Sequence, residues 1–149
     1  MKTVPPEVVA AAQAAQRATR VPASVSIGQY ALESGWGAHM PPGSNNPFGI
    51  KAAPGQPSVL VDTHEFEGGR FVQVKAPFRV FASLADAFAA HARLLSASGR
   101  YQAAMLALPN VPLFVDRMAA AYATDPHYAA DLMGVIDGDQ LTRFDTLPV

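Results

Sequence analysis

The chain has 149 residues, of which 50% are hydrophobic and 15% are charged, and its formal net charge is −1. This length suits one domain with its own core, and the composition excludes a disordered or fibrous protein. The small net charge argues against a nucleic-acid partner, which requires a basic surplus. Because the chain contains no cysteine, disulfides, thiolate nucleophiles and cysteine zinc sites are excluded.

The first third of the sequence predicts two helices, over about residues 5–19 and 22–34. Both begin at prolines, which the first turn of a helix tolerates. Gly35 is the expected residue after the second helix, where a left-handed conformation ends many helices. Gly28 within that helix costs about 1 kcal/mol relative to alanine. We therefore expect a close contact with another helix at Gly28 as compensation.

The middle of the chain predicts a long loop followed by a β-hairpin. The loop spans 35–57, and its large apolar residues indicate that it is ordered. Alternating apolar residues predict strands over 59–66 and 71–75, joined by a glycine-containing turn at 67–70. Residues 78–81 are expected to add a short third strand.

The last third predicts helices over about 83–96, 101–106, 112–122 and 126–136. Ser83 is the expected N-cap of the first of these helices, and Asp125 is expected to cap the last one. Helices, a small hairpin and then more helices give an α+β class dominated by helix. We see no repeat or linker, so the prediction is one domain over 1–149.

The N-terminal segment 1–16 does not resemble a secretory signal, because prolines and polar residues interrupt its apolar run. No stretch reaches the roughly 18 apolar residues of a membrane span. We therefore expect neither a signal peptide nor membrane insertion. If the substrate lies outside the cytoplasm, another device must deliver the protein.

The histidines do not form a recognisable metal site. His64 and Glu65 resemble the start of a zinc-protease helix motif, but Gly68 stands where that motif needs its second histidine. Strand periodicity also contradicts the helix that the motif requires. His91 lies on an apolar helix face and is expected to be a core residue. We predict no metal and no cofactor.

Glu33 is the strongest candidate for a general acid. It lies in the last turn of an otherwise apolar predicted helix, where the negative end of the helix dipole disfavours another negative charge. Trp36 follows three residues later and can shield the carboxyl from water, which raises a carboxyl pKa further. Position alone still favours a solvated residue at a helix end, so the assignment needs further support.

That support comes from motif blocks in the order of a known family. The blocks are Ala31 to Gly37 (ALESGWG), Asn45 to Ala52 (NNPFGIKA), Thr63 to Phe66 (THEF), Phe78 to Phe81 (FRVF) and Tyr122 to Pro126 (YATDP), the last followed by Tyr128-Ala129. Together they resemble the glucosaminidase family of glycoside hydrolases (family 73), which includes hydrolase domains of flagellar rod-assembly proteins and bacterial autolysins. The resemblance covers about residues 21–136.

The resemblance implies a lysozyme-like fold with a small β-hairpin lobe beside the cleft. It implies hydrolysis of the β-1,4 bond on the reducing side of N-acetylglucosamine in peptidoglycan. By motif match Glu33 is the general acid, Glu65 is the second carboxylate and Tyr122 lines the reacting subsite. The alternatives are that Glu65 is an exposed charge at the hairpin tip and that Tyr122 is a core residue at a helix end. The substrate's 2-acetamido group could act as internal nucleophile instead of Glu65.

The remaining candidates are expected to contact the glycan. They are Trp36, Asn46, Phe48 and Tyr128. An asparagine can hydrogen-bond an acetamido group, and an aromatic face can pack on a sugar ring. The alternatives are that Asn46 belongs only to a turn, that Phe48 is core and that Trp36 is structural.

Two other functions fit the same residues. A muramidase, either a lysozyme or a lytic transglycosylase, also places a glutamate at a helix end but cuts the alternate bond. A glycan-binding or assembly module on this fold would not catalyse at all. We expect a monomer whose partner is the glycan strand, acting in the periplasm or cell wall. Its delivery would require a holin, a secretion machine or a larger parent protein.

Overall fold

A computed structural model describes residues 1–146, except for the side chains of residues 65 and 66. In chain order its elements are α1 (Pro6–Thr19), α2 (Ala23–Ser34), β1 (Ser58–Glu67), β2 (Arg70–Arg79), α3 (Leu84–Ala97), α4 (Gln102–Leu106), α5 (Val111–Tyr122) and α6 (Tyr128–Gly138). Short 3-10 turns lie at Gly99–Tyr101 and Leu141–Phe144. The predicted α+β class, dominated by helix, is confirmed. None of the helices in this described part has the length and hydropathy needed to cross a membrane.

The hairpin is longer than predicted, and the expected third strand at 78–81 is wrong. Phe78 and Arg79 are the end of β2, which pairs antiparallel with β1 from Ser58 opposite Arg79 to Glu67 opposite Arg70. Pro77 does not interrupt this strand. The Pro77 carbonyl accepts from the N–H of Ala52, and the Arg79 N–H donates to the carbonyl of Ile50. Residues 77 and 79 therefore direct their backbone groups away from β1, and the N–H that Pro77 lacks is not part of the β1–β2 pairing.

The last long helix begins later than predicted. Its N-cap is His127, and its first residue is Tyr128 rather than Pro126. Asp125 is therefore not the N-cap: its Oδ1 accepts a hydrogen bond from the backbone N–H of His127 at 2.8 Å, which closes a turn before the helix. The prediction for Ser83 is confirmed, since its side chain accepts from the backbone N–H of Asp86.

Helix α2 is the centre of the core. All ten residues from 21 to 30 are buried, and the helix packs against α1, α3 and α6. At Gly28 an added Cβ would lie 2.7 Å from Leu132 Cδ1 and 3.2 Å from Ile136 Cγ1. The close helix contact predicted at Gly28 is therefore present. The missing side chain at Gly28 allows α6 to pack closely against α2.

We expect Gly28→Ala to destabilise the protein by about 1–3 kcal/mol, because Leu132 and Ile136 are fully buried and cannot yield without overpacking. Gly134→Ala in α6 is the matched control, since the space beside Gly134 is open. At that position the higher helix propensity of alanine should raise the free energy of unfolding by about 0.5–1 kcal/mol. Urea unfolding measures both. Equal effects at the two glycines would contradict this packing.

Candidate active site

Glu33 lies in the last turn of α2, which ends at Gly35 in the left-handed conformation with φ 57°. Ser34 is buried beside it and fixes the turn, because its hydroxyl donates to the backbone carbonyl of Tyr30 at 2.6 Å and accepts from the N–H of Gly37 at 2.8 Å. The glutamate itself is exposed to solvent. An exposed carboxyl at a helix end that is held by these hydrogen bonds can contact a substrate.

The Glu33 carboxylate accepts a hydrogen bond from a tyrosine of another helix. The Tyr128 hydroxyl, from the first residue of α6, donates to Glu33 Oε1 at 2.9 Å. Tyr128 in turn accepts from the buried Gln29 amide at 3.1 Å. Through these two hydrogen bonds, one tyrosine of α6 connects side chains from two successive turns of α2.

The pKa of Glu33 is raised above the ordinary carboxyl value. The largest cause is desolvation by the protein atoms around the carboxyl, and the hydrogen bond from Tyr128 acts in the opposite direction. Glu33 as a whole residue is exposed, while the protein atoms around its carboxyl still desolvate that group in part. A raised pKa keeps a larger share of the carboxyl protonated, as a general acid requires.

The aromatic side chains found beside Glu33 are tyrosines, whereas the sequence suggested Trp36. The rings of Tyr122 and Tyr128 lie 5.5 Å apart, and the pKa of both is raised, mainly by burial and further by the nearby Glu33. Trp36 instead meets Tyr30 edge-on at 6.1 Å and lies below the Lys2 ammonium at 5.1 Å. These contacts favour the structural alternative for Trp36.

Tyr122 is the last residue of α5 and is half-buried. Its ring lies 6.4 Å from Tyr101 and 6.2 Å from His91. Burial is the main cause that raises the pKa of Tyr122 and of Tyr128. Both hydroxyls therefore remain protonated near neutral pH and can act as hydrogen-bond donors.

Asn46 is buried and its amide is fully used by the loop. Its Nδ2 donates to the carbonyls of Ile50 at 2.8 Å and Arg79 at 2.9 Å, and its Oδ1 accepts from the N–H groups of Phe48 and Ile50. These bonds join the loop to the base of the hairpin. They favour the turn alternative for Asn46 over direct binding of an acetamido group.

Phe48 is also buried, at 4% exposure. It stacks on the His91 ring at 4.1 Å and meets Phe88 edge-on at 4.9 Å, which favours the core alternative. His91 is a core residue as predicted, with 1% exposure. Burial lowers the pKa of His91 to about 3, so the ring is neutral at any working pH.

Glu65 can be located only by its backbone. It belongs to β1 and faces Val72 of β2 in the hairpin register. Its side chain lies outside the part of the chain that the structure describes, and so does the Glu33–Glu65 carboxyl separation. Among the described residues, no cluster of three or more histidine and carboxylate side chains is arranged to hold a metal ion.

Gln29 is the site residue that the sequence analysis missed. It is fully buried in α2 and precedes Glu33 by four residues, which places the two on one helix face. The available signal is a long polar side chain one helical turn before the candidate acid.

Known proteins are similar to this chain over most of its length. The family model described as "Glucosaminidase: Mannosyl-glycoprotein endo-beta-N-acetylglucosaminidase" matches residues 9–141. Peptidoglycan hydrolase FlgJ of Escherichia coli K12 is 37% identical over 132 residues, which cover 84% of this chain and 42% of that protein. A probable N-acetylmuramidase of Lactococcus lactis subsp. cremoris is 37% identical over 131 residues, covering 82% and 30%.

A solved structure agrees in fold. A C-terminally truncated glycoside hydrolase domain of FlgJ from Salmonella typhimurium superposes with a TM-score of 0.74 at 33% identity, covering 89% of this chain and 93% of that one. The chain spans less than half the length of the two curated relatives named above.

Proposed function

Because this chain belongs to the glucosaminidase family, we propose that it hydrolyses peptidoglycan at the β-1,4 bond on the reducing side of N-acetylglucosamine, with Glu33 as general acid. The family resemblance and the lysozyme-like fold expected from the motif blocks are thereby confirmed. The proposal for the acid depends mainly on the hydrogen bond that the Tyr128 hydroxyl donates to the exposed Glu33 carboxyl. The raised pKa of Glu33 supports it.

The proposed first step is proton transfer from Glu33 to the leaving glycosidic oxygen as the bond to the sugar carbon breaks. Positive charge then develops at that carbon, and Glu33 becomes a carboxylate. The hydrogen bond from Tyr128 stabilises this carboxylate as its charge forms. Interactions that strengthen in the transition state are those that accelerate a reaction.

The developing positive charge needs a second group. By the family resemblance this group is Glu65, either as nucleophile or as the base that takes a proton from the attacking water. The alternative is the substrate's acetamido oxygen, which would attack the sugar carbon and later be displaced by water. In that case Glu65 orients or polarises the acetamido group.

Tyr122 is proposed to line the reacting subsite, because its ring packs on that of Tyr128 beside Glu33. Tyr128 itself is proposed to act on Glu33 rather than only on the glycan. Direct contacts of Trp36, Asn46 and Phe48 with substrate stay predictions, and the burial of Asn46 and Phe48 gives them a structural role first.

The second candidate function is a muramidase, which the name of the Lactococcus relative favours. Mass spectrometry of digested peptidoglycan separates the two. We expect new reducing ends of N-acetylglucosamine. Reducing N-acetylmuramic acid would indicate a lysozyme and anhydro-muramic products a lytic transglycosylase, and either result would overturn the proposed bond. No new ends at all would favour a glycan-binding module.

The place of action follows from the substrate. We propose that the protein acts on the cell wall, as the names of its peptidoglycan-hydrolase relatives suggest. A holin, a secretion machine or a larger parent protein remain the proposed means of delivery. A monomer remains the expected state.

A further inference from the structure

We propose that Gln29 is a positioning residue for the acid: its amide holds the Tyr128 hydroxyl as a hydrogen-bond donor to Glu33. The inference deepens the proposed function and rests on the role of Glu33 as acid. Gln29 would act through Tyr128 and touch no substrate.

Two side chains of α2 meet at one hydroxyl of α6. Gln29 and Glu33 are separated by four residues on α2, so their side chains emerge from the same face on successive turns. The hydroxyl of Tyr128, from the start of α6, lies 3.1 Å from Gln29 Nε2 and 2.9 Å from Glu33 Oε1.

Chemistry decides which way the proton of the hydroxyl points. A tyrosine hydroxyl has a single proton, an ionised carboxylate can only accept, and an amide NH₂ can only donate. With Nε2 of Gln29 directed at the Tyr128 oxygen, the proton of that hydroxyl remains available to Glu33. If the opposite end of the amide faced Tyr128, two acceptors would compete for the same proton.

A second contact supports this orientation of the amide. Nε2 of Gln29 also lies 3.9 Å from the sulfur of Met118 in α5, and a thioether is a weak acceptor that has no proton to donate. The amide nitrogen therefore faces two acceptors at once. Turning the amide over would place its oxygen against the sulfur.

Burial of the polar Gln29 side chain lowers the stability of the folded protein. Gln29 is 0% exposed, and among the described residues its Oε1 has no hydrogen-bond partner. An unsatisfied buried acceptor costs free energy, and an apolar side chain of similar size would avoid that cost. Action on Tyr128 is a function that such an apolar side chain could not supply.

The consequence for Glu33 concerns its charged form. A hydrogen bond from Tyr128 favours the carboxylate, so the loss of a correctly directed hydroxyl should raise the pKa of Glu33 further. Two tyrosines from other helices, Tyr122 of α5 and Tyr128 of α6, have a pKa that is raised mainly by burial and further by the neighbouring Glu33. Both are neutral near pH 7, so a change at Gln29 would be seen at Glu33 without a competing titration from either.

The test is Gln29→Met, which keeps much of the side-chain volume and removes the amide. Ser26→Ala is the matched control, because Ser26 is also fully buried in α2 with its hydroxyl unpartnered among the described residues. For Gln29→Met we expect kcat on peptidoglycan to fall roughly tenfold with KM nearly unchanged. We also expect the alkaline limb of the pH–rate profile to move to higher pH. Ser26→Ala should change neither.

Titration of the Glu33 side-chain carbon by NMR gives a readout that does not require turnover. The pKa should rise in Gln29→Met, and Gln29→Met should add nothing in a Tyr128→Phe background. If Gln29→Met fails to fold, Gln29→Leu replaces it, since leucine also suits a fully buried position and has no group that could donate to the Tyr128 hydroxyl. An unchanged pKa of Glu33 in the folded variant, or an equal shift in the Tyr128→Phe background, would overturn the inference. Failure of the wild-type protein to cut peptidoglycan would overturn the proposed function instead.

Discussion

Glu33→Gln is expected to abolish wall lysis, with kcat lower by roughly 10³-fold, the range that a general acid contributes. Glutamine keeps the shape of the side chain but has no proton of suitable acidity for the leaving oxygen. The fold should be intact, because Glu33 is exposed and glutamine can still accept the hydrogen bond from Tyr128. Release of reducing ends from purified peptidoglycan measures the loss, and circular dichroism with thermal unfolding checks the fold.

The control for this variant is Glu7→Gln, which removes an exposed carboxylate from the first turn of α1. It should leave lysis unchanged. Near-normal lysis by a well-folded Glu33→Gln protein would remove Glu33 from the mechanism. The same experiment addresses the non-catalytic alternative, because a binding module would show no turnover to lose while still retaining peptidoglycan in a pull-down.

Glu65→Gln should cause the second-largest loss, about hundredfold or more in kcat if its carboxylate assists at the sugar carbon or at the attacking water. The matched control is Glu67→Gln in the same strand, two residues on and exposed. If the loss of rate came only from removing a negative charge from the hairpin, both variants would show it. An unchanged rate in Glu65→Gln would exclude Glu65 from the chemistry.

Added azide distinguishes the two routes for the second group. Glu65→Ala leaves space for azide, which can take the place of the missing carboxylate and restore part of the rate if Glu65 is the nucleophile or base. If the acetamido group is the nucleophile, azide should not rescue Glu65→Ala. The stereochemistry of the first product adds a check, because a direct displacement by water inverts the sugar carbon and a double displacement retains it.

Much of the fold was predictable because the signals are local. Prolines at helix starts, apolar residues at helical spacing and Ser83 as N-cap are properties of short windows, and each corresponds to an observed element. The errors also have local causes. Pro77 concealed the continuation of β2, and Asp125 before a proline resembled an N-cap although the helix begins at Tyr128.

The site was only partly predictable because it depends on contacts between distant segments. Glu33 was identified from its motif and helix position, but its partner Tyr128 is 95 residues away in sequence. Asn46 and Phe48 have residue types that suit sugar binding, and only burial reveals their use in the loop and the core. The desolvation of Glu33 was expected, but tyrosines of α5 and α6 lie beside it where Trp36 was expected.

The central claim is that Glu33 must be protonated to act, and the pH dependence of kcat/KM tests it most directly against the titration of Glu33 itself. The pKa of Glu33 is raised by desolvation, so the acid form should persist above the ordinary carboxyl range. Activity should then fall as pH rises through the pKa that NMR assigns to Glu33 in the free enzyme. Activity that increases through that pKa, or that falls at a pH unrelated to it, would contradict the role of Glu33 as general acid.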